Sequence, residues 1–189
     1  MAALTLANAL TLLRMLLAPI FVILVVYHYL GWALVTFCAA CITDLFDGAL
    51  ARWSGTRTNV GVWLDPMADK LLLLTVFVVL TLPGLELANR LPLWLTVVVI
   101  SRDVIIVLTV AVVNLASGPR TFKPSNAGKA ATLIYFLTGI VTMYFNYLEE
   151  VSSLVTLCVF ASLVIAIVSG LHYIVHAINA LEQASDRTS

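Results

Sequence analysis

Charged side chains are scarce in this sequence. Only 11% of its 189 residues are Asp, Glu, Lys or Arg, whereas 62% are hydrophobic. The mean hydropathy of +1.07 lies far above the range of a soluble globular domain. The ten acidic and ten basic residues cancel, so no net charge favours a nucleic-acid partner, and none is expected. The composition therefore predicts an integral membrane protein.

Cysteine is also rare. Cys38, Cys41 and Cys158 lie within apolar runs, and their odd number and spacing are not those of a disulfide framework. We expect them to be packing residues. A cleavable signal peptide is not expected either, because the N-terminus has no charged leader and the apolar run from about Leu16 is too long.

Long polar connections are missing as well. Cut at its polar, Gly and Pro positions, the chain offers six apolar stretches of about the 20 residues that cross a hydrocarbon core. We predict an all-α integral membrane protein, with a single domain over 1–189 that ends in a short polar tail at 179–189. The six predicted transmembrane helices are 9–30, 31–52, 61–83, 92–116, 127–147 and 153–178.

The basic residues are distributed unevenly between the two predicted membrane faces. One face has only Arg90, whereas nearly all other Lys and Arg residues fall on the face that carries both termini. Lys and Arg are retained on the cytoplasmic side of a membrane. We therefore predict a multi-pass protein of the bacterial inner membrane, with both termini and an active-site cleft facing the cytoplasm.

Four aspartates stand close together between residues 43 and 70 of this apolar chain. Asp44 and Asp47 are three residues apart, and Asp65 and Asp69 are four apart. Each spacing puts a pair on one face of a helix, at the cytoplasmic ends of two adjacent antiparallel helices. A carboxylate in a membrane span costs about 3 kcal/mol on insertion scales, so positive charge is expected among the four.

Metal ions are the favoured source of that positive charge. Hard oxygen ligands from two helices suit Mg²⁺ or Mn²⁺, and four carboxylates suffice for two ions. A two-metal site favours in-line displacement at phosphorus. Arg52 adds a planar donor for phosphate oxygens, and Gly48 and Gly61 allow close backbone approach. Structural ion pairs to Arg52, Arg57 and Lys70 are the less favoured alternative, since buried pairs stabilise poorly.

The spacing of these residues resembles the signature of a known family. The stretch reads Asp44-x2-Asp47-Gly48-x2-Ala51-Arg52-x8-Gly61-x3-Asp65-x3-Asp69. It is similar, without departure, to the signature of the CDP-alcohol phosphatidyltransferases, and the six-span layout is similar too. The resemblance implies an enzyme of phospholipid biosynthesis that transfers a phosphatidyl group from CDP-diacylglycerol to an alcohol and releases CMP.

The resemblance also implies roles for individual residues. Asp69 would be the catalytic general base and would also lie close to the metals. The two Mg²⁺ or Mn²⁺ ions would be held by Asp44, Asp47, Asp65 and Asp69. The CDP-lipid would be bound by Gly48, Ala51, Arg52 and Gly61. A homodimer is expected from the family alone.

The acceptor alcohol must be recognised by residues outside the signature. Asn8, Thr11 and Arg14 form one polar face of the first helix, which suits either a substrate role or interfacial anchoring. This element resembles that of phosphatidylglycerophosphate and cardiolipin synthases. Arg102 lies within the fourth span, where either Asp103 or an anionic acceptor can compensate its charge.

Lys129 completes the set of candidate acceptor-binding residues, because it resembles a Gly-Lys element that the family has near the acceptor site. These bases favour glycerol 3-phosphate as acceptor, with phosphatidylglycerol, and hence a cardiolipin synthase, as the alternative. Asp103 keeps the alternative open, since cardiolipin synthases tend to have Asp at that position. A divalent-cation transporter is a remote third possibility, disfavoured because the acids cluster at one membrane face without an internal repeat.

Overall fold

The computed structural model describes the backbone of residues 6–54, 59–117 and 126–185, and the side chains of residues 12–43, 70–109 and 127–175. Within these ranges the chain forms six α-helices, one short 3-10 helix at Pro83–Leu85 and no strand. The α-helices are α1 (Leu6–Val26), α2 (Leu30–Ser54), α3 (Asn59–Thr81), α4 (Leu93–Ser117), α5 (Asn126–Tyr147) and α6 (Ser153–Ser185).

The predicted all-α class is confirmed, and each helix overlaps one predicted span. The largest difference is at α6, which continues to Ser185, past the predicted boundary at 178 and into the segment predicted to be a tail. Among the described residues, two segments are long and apolar enough to cross a membrane, Ala127–Tyr147 and Ser153–Val175. Shorter apolar helical segments are Leu12–Val26, Leu30–Thr43 and Lys70–Thr81.

The outward faces of the helices are apolar, as the inward faces are. Leu16 and Ile23 on α1 are 62% and 55% exposed, and Val164 on α6 is 60% exposed. A helix that is apolar all round does not suit a water-facing surface but suits one covered by lipid. These faces are what the hydropathy of the sequence predicts for a membrane protein.

Two compact units make up the chain. The first comprises Met1–Leu91 with Gly139–Val155, and the second comprises Pro92–Thr138 with Thr156–Ser189. In the first unit, α1 packs against both α2 and α3. The rings of Phe21 on α1 and Phe37 on α2 lie 5.8 Å apart between centroids, and both side chains are fully buried.

Close backbone approach in the first unit depends on Gly139 of α5. A Cβ placed there would lie 2.7 Å from Cε1 of Phe37 and 3.3 Å from Cγ1 of Val76. Both neighbours are themselves fully buried, so neither can move aside cheaply. This glycine therefore lets α5 seat against the aromatic core of the unit.

A buried pair of asparagines links the connection between α3 and α4 to the end of α5. The main-chain N–H of Asn89 donates to Oδ1 of Asn146 at 2.6 Å, and Nδ2 of Asn146 donates to the Asn89 carbonyl at 2.9 Å. The Asn89 side chain donates in turn to the Glu150 carbonyl at 2.7 Å and accepts from the Ser152 N–H at 3.1 Å. The Asn146 amide thus satisfies the main chain of Asn89, and the Asn89 amide satisfies the main chain of the turn between α5 and α6.

We expect Asn146→Ala to destabilise the protein by about 3 kcal/mol, because the N–H and carbonyl of Asn89 would both lose their partner in a buried site. Thermal unfolding in a maltoside detergent would measure the loss. Glu150→Ala is the matched control, since only the main-chain carbonyl of that residue takes part. Equal unfolding midpoints for Asn146→Ala and the wild type would contradict the proposed role of the pair.

Two helices of the first unit end on a left-handed residue that is not glycine. His28 has φ 59° and Glu149 has φ 56°. After α1, the N–H of Tyr29 donates to the Leu24 carbonyl and that of His28 to the Val25 carbonyl; Glu150 and Glu149 repeat this pattern after α5. These are Schellman caps, in which glycine is the usual left-handed residue. A side chain in this conformation costs about 1 kcal/mol, and both turns carry that cost.

In the second unit, polar side chains link α5 and α6 inside an apolar environment. Thr138 and Ser162 are both fully buried, and their hydroxyl oxygens lie 2.8 Å apart in a hydrogen bond. Thr138 also donates to its own helix at the Ile134 carbonyl, at 2.8 Å. Such hydroxyl pairs hold apolar helices together where no hydrophobic driving force distinguishes helix from lipid.

Candidate functional site

The aspartate signature lies on two consecutive helices. Asp44 and Asp47 fall within α2, and Asp65 and Asp69 fall within α3, so the helical backbone that their spacing requires is present. The side chains of all signature residues lie outside the described part of the chain, and their contacts stay predictions: Asp44, Asp47, Gly48, Ala51, Arg52, Gly61, Asp65 and Asp69.

The helix bounds relate the heights of the four aspartates. Asp44 precedes the end of α2 at Ser54 by as many residues as Asp69 follows the start of α3 at Asn59. At the rise of an α-helix, both lie roughly 15 Å from the helix ends that residues 55–58 join. Asp47 and Asp65 lie nearer those ends, at about 10 Å. The two pairs therefore lie at similar distances from the ends of their own helices.

Arg14 is the acceptor-site candidate that the structure describes in the first unit. Its side chain is 1% exposed, on the helix that packs against both α2 and α3. Measured along α1 and α2 from the turn that joins them, Arg14 lies at about 18 Å and Asp44 at about 21 Å. Such burial does not fit interfacial anchoring, in which the guanidinium would reach water. The side chains of Asn8 and Thr11 lie outside the described residues.

Arg102 is held by two neighbours in the second unit. Its Nε donates to Oγ of Ser169 at 3.0 Å, and its Nη1 forms an ion pair with Oδ1 of Asp103 at 2.6 Å. The side chain of Arg102 is 10% exposed and that of Asp103 is 29% exposed. A guanidinium has five N–H donors, and these two contacts use two of them. Asp103 therefore neutralises Arg102 while leaving donors for an anionic ligand.

Ser169 is a residue that the sequence analysis missed. It is fully buried, and its hydroxyl donates to the Ala166 carbonyl at 3.2 Å while it accepts from Arg102. The next residue, Gly170, brings the α6 backbone close to the arginine stem, since a Cβ there would lie 3.8 Å from Cγ of Arg102. The Ser169-Gly170 pair in a mostly apolar part of α6 was the available signal.

Lys129 is the remaining acceptor-site candidate that the structure describes. Lys129 is exposed in the first turn of α5, in the same unit as Arg102. Among the side chains that the structure describes, no group of three or more His, Cys, Asp or Glu could hold a metal ion. The side chains of the four signature aspartates lie outside that part of the chain. The three cysteines are free and partly buried, as packing residues are.

Together, the helical fold, the apolar outer faces and the aspartate signature define a transferase that works on lipid-linked substrates. The chain belongs to the CDP-alcohol phosphatidyltransferase family, whose sequence model matches residues 4–178. It is therefore an enzyme of phospholipid biosynthesis, a phosphatidyltransferase that uses a CDP-linked donor. The resemblance found in the signature is confirmed over nearly the whole chain.

Several curated proteins are similar to this chain. A probable phosphatidylglycerophosphate synthase of Mycobacterium tuberculosis (strain CDC 1551 / Oshkosh) is 33% identical over 183 residues, which cover 92% of this chain and 81% of that protein. A CMP-forming cardiolipin synthase of Homo sapiens is 33% identical over 166 residues, 78% of this chain and 54% of that protein. The relatives thus carry two names that differ in the acceptor alcohol.

Proposed function

We propose that the protein transfers a phosphatidyl group from CDP-diacylglycerol to glycerol 3-phosphate and releases CMP. The observation that carries an anionic acceptor is Arg102, a nearly buried guanidinium that Ser169 and Asp103 hold and that has donors left over. A phosphomonoester matches a guanidinium in charge and in planar geometry. The similarity to a probable phosphatidylglycerophosphate synthase over 92% of the chain supports the same acceptor.

The proposal includes the membrane arrangement predicted from the sequence. All six helices cross the membrane, both termini and the signature face the cytoplasm, and the enzyme works in the bacterial inner membrane as a homodimer. The apolar outer faces and the two described span-length segments support the membrane assignment. The excess of Lys and Arg on one side supports the orientation. The diacylglycerol tails of the donor would then stay in the bilayer.

The four signature carboxylates on α2 and α3 suit divalent metal ions. Carboxylates at similar distances from the ends of two consecutive helices supply the hard oxygen ligands that Mg²⁺ and Mn²⁺ prefer. We propose that Asp44, Asp47, Asp65 and Asp69 hold two such ions. When bound, they supply positive charge to the diphosphate of the donor and to the leaving CMP.

The protein residues divide the remaining work. Gly48, Ala51, Arg52 and Gly61 bind the cytidine diphosphate. The acceptor hydroxyl oxygen forms a bond to the lipid-side phosphorus while the bond from that phosphorus to the CMP oxygen breaks. The carboxylate of Asp69 takes the proton that the hydroxyl loses, as a general base in reach of the attacking oxygen. Charge balances because CMP leaves as an anion.

The acceptor is oriented by basic residues outside the signature. Arg102 binds the phosphate of glycerol 3-phosphate through the donors that its two neighbours leave over, and Asp103 and Ser169 set the plane of the guanidinium. Arg14, buried on α1, supplies positive charge near the aspartates. Asn8, Thr11 and Lys129 complete the proposed set at the cytoplasmic ends of α1 and α5.

Phosphatidylglycerol is the second candidate acceptor, which would make the enzyme a cardiolipin synthase. Asp103 supports it, since cardiolipin synthases tend to have Asp at that position. The similarity to the human cardiolipin synthase supports it too. The phosphodiester of phosphatidylglycerol is also anionic, so Arg102 suits both acceptors. The divalent-cation transporter is now without support, since the chain belongs to a family of transferases.

A side-by-side assay separates these candidates. Purified enzyme with CDP-diacylglycerol and Mg²⁺ or Mn²⁺ is expected to release CMP with glycerol 3-phosphate, and not with phosphatidylglycerol, inositol phosphate or no acceptor. Product lipids would be identified by mass spectrometry. Faster CMP release with phosphatidylglycerol, and cardiolipin as the product, would replace the proposed acceptor. Metal flux into proteoliposomes without CMP release would overturn the proposed reaction.

A further inference from the structure

A cleft of about 620 Å³ opens between the α1–α2 turn and the α5–α6 turn, within the first unit. It is separate from the signature, because Val35 at its lower edge precedes Asp44 by about 14 Å along α2. Its polar and aromatic lining residues form the mouth, and Leu30, Leu34 and Val35 of α2 form the apolar floor. The lining residues that matter here are His28, Tyr29, Trp32, Leu34, Tyr147 and Glu149.

Backbone strain coincides with this cleft. His28 and Glu149, which adopt left-handed conformations at the two Schellman caps, both line it. Glycine would fill either cap at lower cost, so the two side chains are retained against a local preference. Strained residues concentrate at binding and catalytic sites, where the side chain has a task. An imidazole and a carboxylate are therefore candidates for ligand binding at the mouth of the cleft.

The aromatic rings that line the cleft together with Glu149 suit one kind of ligand. Tyr29, Trp32 and Tyr147 surround the same opening, and Gly31 lets the Tyr147 ring close one wall, since a Cβ at Gly31 would lie 2.9 Å from Cε2 of that ring. Aromatic faces together with one carboxylate attract an ammonium group by cation–π interaction and charge. Leu34, farther along α2, extends the cleft as apolar surface of the kind that an acyl chain covers.

We propose that this cleft binds a phospholipid with an ammonium headgroup, such as a phosphocholine or phosphoethanolamine lipid. The ammonium group lies among Tyr29, Trp32 and Tyr147 and against the Glu149 carboxylate. His28 offers a donor to the lipid phosphate, and an acyl chain runs along the α2 floor. The lipid is neither donor nor acceptor of the proposed reaction, and the site lies toward the membrane face opposite the signature.

Native mass spectrometry in a maltoside detergent tests the proposal. Short-chain phosphatidylcholine is expected to bind the wild type at least about tenfold more tightly than phosphatidylglycerol of equal chain length. Glu149→Gln, which removes one charge at constant shape, should weaken phosphatidylcholine about tenfold. Glu86→Gln is the matched control, because Glu86 is another exposed left-handed glutamate in a turn but does not line the cleft. CMP release should be unchanged in both variants.

Three results would overturn the proposal. The first is equal binding of the two lipids by the wild type, and the second is equal loss of phosphatidylcholine binding in Glu149→Gln and Glu86→Gln. The third is binding of free phosphocholine as tight as that of the lipid, which would make the ligand a soluble ammonium compound. Trp32→Leu gives a further check, since it keeps apolar area and removes the ring face, and an unchanged affinity in that variant would exclude the cation–π arrangement.

Discussion

Replacing Asp69 by Asn is expected to lower kcat about a thousandfold while CDP-diacylglycerol still binds. An amide cannot accept the proton of the acceptor hydroxyl, but it has nearly the same size and keeps an oxygen beside the metals. The loss should therefore fall on turnover and leave the donor affinity within a fewfold of the wild type. Initial rates of CMP release and equilibrium binding of the CDP-lipid would measure the two effects separately.

Metal dependence distinguishes the two roles proposed for Asp69. If the residue acts chiefly as a metal ligand, excess Mg²⁺ or Mn²⁺ should restore much of the activity of Asp69→Asn, whereas a lost base cannot be restored in this way. Glu86→Gln controls for the removal of one carboxylate, since Glu86 is exposed outside the signature. Near-normal turnover in Asp69→Asn would remove this residue from the role of base.

The helices that carry the signature were predictable because several local patterns agree over the same residues. Apolar runs of membrane-spanning length, polar interruptions and acids at helical spacing all favour helices at α2 and α3, where the structure has them. The end of α6 was less predictable, because the polar residues past 178 end the membrane signal without ending the helix. Hydropathy indicates whether a helical segment lies in lipid, but it does not indicate the residue at which the helix ends.

Contacts between distant residues were not predictable from local pattern. Asn89 and Asn146 are separated by 57 residues, and no sequence pattern beside either residue predicts that they pair. Arg14 shows the same limit in another form. Its position on a polar helix face suits both a surface and a substrate role, and only the packing of α1 against two helices shows that it is buried. Burial of a single charge depends on the tertiary neighbours.

Arg102 and Ser169 belong to the proposed acceptor site, where this limit matters most. The sequence indicates that Arg102 needs a partner, since the charge of an arginine inside a membrane span must be compensated. It does not say that the compensation is shared between Asp103, which neutralises the charge, and Ser169, which fixes the plane of the guanidinium from a helix 67 residues farther along. The acceptor recognition that we propose for Arg102 would therefore depend on α6 as well as on α4.

Arg102→Ala is expected to raise the KM for glycerol 3-phosphate about a hundredfold and to change the KM for CDP-diacylglycerol little, because charge-assisted bonds to the acceptor phosphate are lost. Arg102→Lys should recover part of the affinity, since it keeps the charge but not the paired donors. Rates of CMP release over a matrix of both substrate concentrations would measure the two KM values.

Ser169→Ala extends the prediction to the positioning of that guanidinium. It should raise the acceptor KM about fivefold through loss of one hydrogen bond to Nε, with folding and donor KM preserved. Gly170→Ala is the matched control, because its added methyl group meets Cγ of Arg102 only at 3.8 Å, an ordinary contact distance. Equal rises in both KM values for Arg102→Ala would assign the arginine to the fold or to the shared nucleotide site. An unchanged acceptor KM in Ser169→Ala would mean that Asp103 alone orients the arginine.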